Sequence, residues 1–387
     1  MNLDPIVQLS RNFGSNPDYV LAGGGNTSQK EGDFIAIKAS GVQLGTIDAA
    51  GFVRLSLSKL TALFNIELPS NSDEREKIVL EKMLAARLPG QTMRPSVETL
   101  LHALFPFRFV VHLHPALING LLCSREALSA AQALFGSEAA VLPYITPGYT
   151  LADAVRRIFE TRTLSGQSPY KILFLQNHGV FVAADTAEEI KALYDHIFAT
   201  LKAKVNALPA EDKVAESVSA EEKVLRSKVH TAVEACSTKF NVRFFFTLNS
   251  LLNRFLASPE AFLPLSAPFT PDHIVYAGAW PLFVTQHQAQ TSEHLEVQIN
   301  AHHARHGELP KVLAVQGVGI FGLGKDIAAA ERACLLFTDA AKIAWYAQSF
   351  GGVHSMESPD IEFIRNWEVE KYRSSIASKN NIAASKQ

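Results

Sequence analysis

The chain has 387 residues, with 36 basic against 38 acidic side chains for a net charge of −2; 47% are hydrophobic and 19% charged. At roughly 150 residues per domain, this length predicts two or three domains, or one large α/β domain with a smaller partner. The near balance of charge excludes a dedicated nucleic-acid binder, and the composition lies far from the disordered regime. Cys123, Cys236 and Cys334 are scattered and build neither a disulfide framework nor a cysteine zinc site, so a reducing, cytoplasmic setting is expected. The N-terminus lacks the basic and apolar regions of a secretory signal, and no apolar run reaches the roughly 18 residues of a membrane span.

In chain order, a short helix leads into a glycine turn at Gly23–Gly25. Residues 34–38 read as a strand, 74–88 as a helix, and a further helix opens at Ser96 and is stopped by Pro106. Phe109 to His114 is an apolar strand ended by Pro115; residues 171–175 and 180–183 are two more. Asp185 or Thr186 caps a helix that runs to about residue 204. This alternation predicts an α/β or α+β domain over residues 1–205. Residues 206–226 are polar and read as a linker or a solvated helix, with a second domain over 227–387. One internal echo stands out: residues 173–182 resemble residues 313–322, each a strand, a glycine turn, a second apolar run and then an alanine-rich helix. The echo predicts a diverged copy of the first fold, with Val318 where the first half has His178.

His112 and His114 lie two apart on a strand, so both imidazoles face one way and can share a divalent metal. Alone, the pair reads first as two ordinary polar residues on a solvent-facing strand side. His178, at the end of another buried strand and followed by Gly179, supplies a third imidazole. Three protein ligands with an open position define a catalytic rather than a structural zinc site, with other first-row metals also accommodated. Glu98, at a helix start, is a candidate acid/base or simply a partner of the helix dipole. His102, one turn on, reads as a packing histidine.

Gly23–Ser28 is a nest-like stretch whose backbone N–H groups suit an anion, with Ser40, Gly41 and Ser96 as further donors; its plainer reading is a flexible turn. Gly317-Val-Gly319-Ile-Phe-Gly322 fits a dinucleotide pattern, but no acidic residue follows at a second strand end, so no nucleotide is expected. His302 and His306 fit an exposed helix face.

Taken together, Gly25-Asn26-Thr-Ser28, Ser40-Gly41, Ser96-Val-Glu98 with His102, His112-Leu-His114 and Gln176-Asn-His178-Gly179 resemble the class II aldolase/adducin family. The resemblance implies a three-layer αβα domain with a second, diverged α/β domain. It implies His112, His114 and His178 as Zn²⁺ ligands, Glu98 as the catalytic acid/base, and Gly25, Asn26, Thr27, Ser40, Gly41 and Ser96 as the phosphate site. Val97 stands where the family's sugar-phosphate aldolases usually have a second serine. Gly23–Ser28, Ser96-Val-Glu-Thr-Leu-Leu-His102, Thr270-Pro-Asp-His273 and Asp360-Ile-Glu-Phe363 are also similar to the aldolase part of bifunctional rhamnulose-1-phosphate aldolase/lactaldehyde dehydrogenases. The dehydrogenase part has no counterpart in these residues, so no nicotinamide chemistry is expected.

The implied reaction is aldol cleavage of a ketose 1-phosphate through a zinc-stabilised enediolate, giving dihydroxyacetone phosphate and an aldehyde. Tyr144 and Tyr149 are both candidates for the acid at the leaving aldehyde. The alternatives are an epimerase, dehydratase or decarboxylase on the same metal site, or a non-catalytic adducin-like protein. The expected partner is a small sugar phosphate, with no nucleic acid and no membrane, in a homo-oligomer whose second half is metal-free.

Overall fold

The computed structural model describes residues 1–210 and 219–367, which fall into two compact units. Met1–Leu122 with Glu126–Ala203 form the first; Cys123–Arg125 and the chain from Lys204 onward form the second.

The first unit is built on seven strands: β1 (Asn26–Glu31), β2 (Phe34–Lys38), β3 (Phe52–Ser56), β4 (Phe109–Leu113), β5 (Ala139–Leu142), β6 (Ile172–Leu175) and β7 (Gly179–Ala184). Their order is β3-β2-β1-β4-β7-β6-β5, antiparallel throughout except for β5 beside β6. Alternation along the strands sends Ile35, Ile37, Val110, Leu173 and Phe181 to one face. There the helices Ser72–Ala85, Thr99–Leu104 and Tyr149–Leu164 cover them with Val79, Met83, Leu100, Leu101, Leu151 and Val155. The helices Asp4–Gly14, Ala116–Leu122 and Ala187–Lys202 pack on strands of the same sheet. Tyr194 of the last donates its phenol to Val111 O at 3.1 Å. The fold is mixed α/β, layered as expected, although β1, β3 and β5 were not.

The second unit has a four-stranded sheet of β8 (Arg243–Thr247), β9 (Leu282–Val284), β10 (Val312–Val315) and β11 (Gly319–Gly324) in the order β8-β11-β10-β9. Only β9 and β10 run parallel. This is the order and sense of β4-β7-β6-β5. The likeness extends to single hydrogen bonds. Gln176 N donates to Leu142 O at 3.1 Å and Gln316 N to Val284 O at 2.9 Å; Asn177 N donates to Leu122 O at 3.2 Å and Gly317 N to Leu256 O at 2.9 Å. Asn177 (φ 52°) and Gly317 (φ 65°) take the left-handed conformation at the same place in the turn. The echo between 173–182 and 313–322 is therefore one hairpin of a repeated half-sheet.

Of the stretch read as a linker or a solvated helix, residues 220–226 belong to the helix Ala220–Lys239, because Ser219 and Glu222 form a reciprocal capping box that starts it there; residues 211–218 lie outside the described residues. One expectation for this unit is corrected. His302 is buried, not on a solvated face: its Nδ1 lies 3.1 Å from Glu308 O and its Nε2 2.9 Å from Trp280 O. The glycine pattern 317–322 forms the antiparallel β10–β11 hairpin rather than a strand-to-helix turn.

Candidate metal centre and acid/base site

Register places the site. Asn26 of β1 pairs with His112 of β4, and His112 pairs with Phe181 of β7, so these side chains share the face under the helix Thr99–Leu104. The His112 ring stacks on Phe181 at 3.9 Å, which fixes its plane. His112 Nδ1–H donates to Val180 O at 3.0 Å, which selects the tautomer with the Nε2 lone pair turned inward. His114 reaches the same side from just past the end of β4. His178 arrives on the β6–β7 turn, closed by His178 N to Leu175 O at 3.2 Å. Gly179 makes this approach sterically possible: a Cβ there would lie 2.6 Å from His114 Cδ2 and 3.2 Å from His112 Cε1.

The three imidazoles each offer a ring nitrogen within 4.8 Å of the others. Glu98 Oε1 lies 3.2 Å from His112 Nε2 and 3.0 Å from His178 Nε2, and His114 Nε2 lies 2.8 Å from His112 Nε2. Glu98 Oε1 is buried and accepts no hydrogen bond. Three ring nitrogens and a carboxylate oxygen therefore converge on one point, the donor arrangement a divalent cation takes. The donor set, three nitrogens with a neighbouring carboxylate, fits a metal. Burial lowers His112 to about 4, so its imidazole is neutral at pH 7, the form that can bind a metal. Burial works to raise the Glu98 carboxyl, but His112 and His178 outweigh it and hold the group well below the usual range.

The anion-site residues divide. Gly25 (φ 64°) packs on β4 at His112, where a Cβ would lie 2.8 Å from His112 O. The Ala39–Pro95 bridge and the bond from Ser96 N to Lys38 O (3.2 Å) bring Ser40, Gly41 and Ser96 together. Ser96 Oγ also accepts from Glu98 N at 3.3 Å. Thr27 is on the other face of the sheet, bonded to Ser10 Oγ at 2.6 Å, because it lies between Asn26 and Ser28 on the strand. Asn26 turns its amide to Glu98 and His102 rather than into the glycine turn. Sequence reasoning missed Lys38, whose ammonium donates to Val42 O at 2.7 Å and Gly23 O at 3.4 Å and so ties the two glycine turns together. An isolated lysine between apolar strand residues was the available signal.

The family model of the class II aldolase and adducin N-terminal domain matches residues 4–204, and the chain belongs to that family. Over nearly its full length the chain is similar to the uncharacterized oxidoreductase YuxG of Bacillus subtilis (strain 168): 23% identity over 420 residues, covering 97% of this chain and 58% of the relative. The chain thus spans little more than half the length of that curated relative. Among solved structures it is similar to the N-terminal class II aldolase domain of a conserved protein from Thermoplasma acidophilum (31% identity, 52% of this chain, 93% of that one, TM-score 0.45). It is also similar to l-fuculose-1-phosphate aldolase from Thermus thermophilus (18%, 51% and 89%, TM-score 0.32).

Proposed function

We propose that the first unit cleaves a ketose 1-phosphate of the rhamnulose or fuculose type to dihydroxyacetone phosphate and an aldehyde. The observation that carries this reading is the convergence of a ring nitrogen from each of His112, His114 and His178, with Glu98 Oε1 beside them, on one point. These three imidazoles are the residues that would hold the metal, and zinc suits their all-nitrogen donor set. The metal supplies Lewis acidity toward the negative charge that carbon–carbon cleavage leaves on the ketose oxygens. Glu98, beside them, would return to the carbon that loses the aldehyde a proton equivalent to the one the C4 hydroxyl gives up on cleavage, and so end the step as the carboxylate. Gly25, Ser40, Gly41 and Ser96, backed by the Lys38 ammonium, hold the phosphate and so set the distance from anion to reacting carbon. Tyr144 is the better of the two tyrosines for the leaving aldehyde. Its N–H donates to the side chain of Gln176, two residues before His178, whereas Tyr149 packs on Phe64 at 5.8 Å. The reading carries with it a cytoplasmic, oligomeric enzyme.

The test is metal content and cleavage of both sugars by wild type, His114→Ala and Glu98→Ala. The reading expects about one zinc per chain, lost in His114→Ala and kept in Glu98→Ala, with cleavage abolished in both. Zinc without cleavage of either sugar would turn the assignment to epimerase, dehydratase or decarboxylase substrates, to which Val97 in place of a second phosphate-binding serine already gives some weight. A protein that takes up no metal would belong with the binding branch of the family.

A further inference from the structure

His102 is fully buried, and both of its ring nitrogens are engaged. Nδ1 lies 2.8 Å from Ser28 Oγ and Nε2 lies 2.5 Å from Asn26 Oδ1, while Asn26 Nδ2 lies 2.5 Å from Glu98 Oε2. With Glu98 ionised and His102 neutral, one assignment of protons satisfies all three contacts. The ionised carboxylate accepts only, so Asn26 turns its amide nitrogen toward Glu98 and its oxygen toward His102. His102 Nε2 must then carry the proton, and Nδ1 must accept from the Ser28 hydroxyl. Burial holds the His102 imidazole well below its usual range, in agreement with this neutral form.

We propose that His102 is a positioning residue for the acid/base, acting through Asn26. Ser28 fixes the tautomer of His102, His102 fixes which way the Asn26 amide faces, and Asn26 in turn holds one oxygen of Glu98. The other oxygen, Oε1, is then left facing the imidazole cluster. The rings of His102 and Phe181 meet edge-on at 5.4 Å, and Phe181 is the ring on which His112 stacks, so the relay and the ligand frame share one support. A flipped Asn26 would set its oxygen against the carboxylate and turn Glu98 away from the substrate carbon. His102 touches neither the reacting atoms nor a ligand, so its loss should lower turnover without emptying the site.

The kinetic arm of the test rests on the aldolase reading; the spectroscopic arm does not. The zinc-loaded chain of 387 residues is compared with His102→Leu, which fills the space but donates nothing, and His102→Gln, which keeps a donor for Asn26. On whichever ketose 1-phosphate the wild type cleaves, His102→Leu is expected to lose about tenfold to a hundredfold in kcat, in line with other outer partners of metal sites. KM and zinc content should stay near wild type, and His102→Gln should recover most of the loss. Equal kcat in all three proteins, or a loss that His102→Gln does not relieve, would overturn the proposal. Nitrogen-15 spectra of histidine-labelled wild-type protein give the second readout: His102 should be a single neutral tautomer with the proton on Nε2. Proton occupancy of Nδ1, or a tautomer unchanged by Ser28→Ala, would sink the relay even if neither sugar is a substrate. Failure of cleavage by the wild type with the expected tautomer in place would discard the aldolase reading and leave the relay standing.

Discussion

Lys30 lies on β1, and its ammonium donates to Phe105 O. Burial lowers it to about 7, with Asp185 acting weakly in the opposite direction. The sign of the consequence follows from linkage. Between pH 7 and about 10.5 the unfolded chain holds a proton on this lysine that the folded chain does not, so stability rises with pH through that window. Lys30→Met removes the group and its slope. The urea midpoint of the variant should exceed that of wild type more at pH 7 than at pH 10; a gap independent of pH would show that Lys30 is charged in the folded protein. Lys38, at the end of β2, donates to carbonyls of the two glycine turns. Lys38→Met should raise KM for a phosphorylated sugar by about tenfold, roughly the worth of one lost charge-assisted contact, with kcat nearly unchanged. An unchanged KM would remove the two glycine turns from the anion site.

The β6–β7 hairpin carries one of the three candidate ligands and admits the other two, and the element depends on a single missing methyl. A Cβ at residue 179 would meet Leu113 O at 2.6 Å as well as His114 Cδ2. Backbone cannot give way as a flexible side chain does, so Gly179→Ala must open the hairpin or displace His114. Overpacking of this kind costs about 1–3 kcal/mol. The variant should unfold at lower urea and bind zinc more weakly, whereas Gly166→Ala, where a Cβ would meet nothing, should keep its zinc. The same hairpin shows what a sequence discloses. Its two apolar runs and the glycine between them, like the two-residue spacing of His112 and His114 on β4, are local features, and local features placed β2, β4, β6, β7 and the three clustered histidines. β1 was hidden, because Asn-Thr-Ser-Gln-Lys-Glu has no apolar alternation. Its polar side chains are buried against partners distant in sequence: Asn26 with Glu98, Thr27 with Ser10, Ser28 with His102, and Gln29 with Asn2 O. That pattern is legible only once the partners are assembled. For the same reason, Asn26 read as an anion donor and His102 as packing.

Across the whole molecule, one half-sheet is used twice, and the two copies separate packing from chemistry. Phe321 pairs with Phe246 as Phe181 pairs with His112, and Val318 stands where His178 stands. His230 meets Phe321 edge-on at 5.0 Å and 69°, much as His102 meets Phe181 at 5.4 Å and 70°. The repeated hairpin, left-handed turn and edge-on histidine are retained, while the ligand positions are filled by Phe246, Leu248 and Val318, none of which can bind a cation. We therefore propose that the second unit is a metal-free copy kept for packing. Phe181 and Phe321 are both fully buried, so truncating either should cost about 3–5 kcal/mol. Only Phe181 supports a ligand ring. Phe181→Ala should therefore also weaken zinc binding, and Phe321→Ala should leave zinc at one per chain with unchanged affinity at a temperature where both variants are folded. If Phe321→Ala altered the metal, the second unit would take part in the site and its likeness to the first would be functional rather than architectural. If the two variants matched wild type in zinc affinity, the stack on His112 would be incidental, and the ligand frame would rest on the Val180 carbonyl alone.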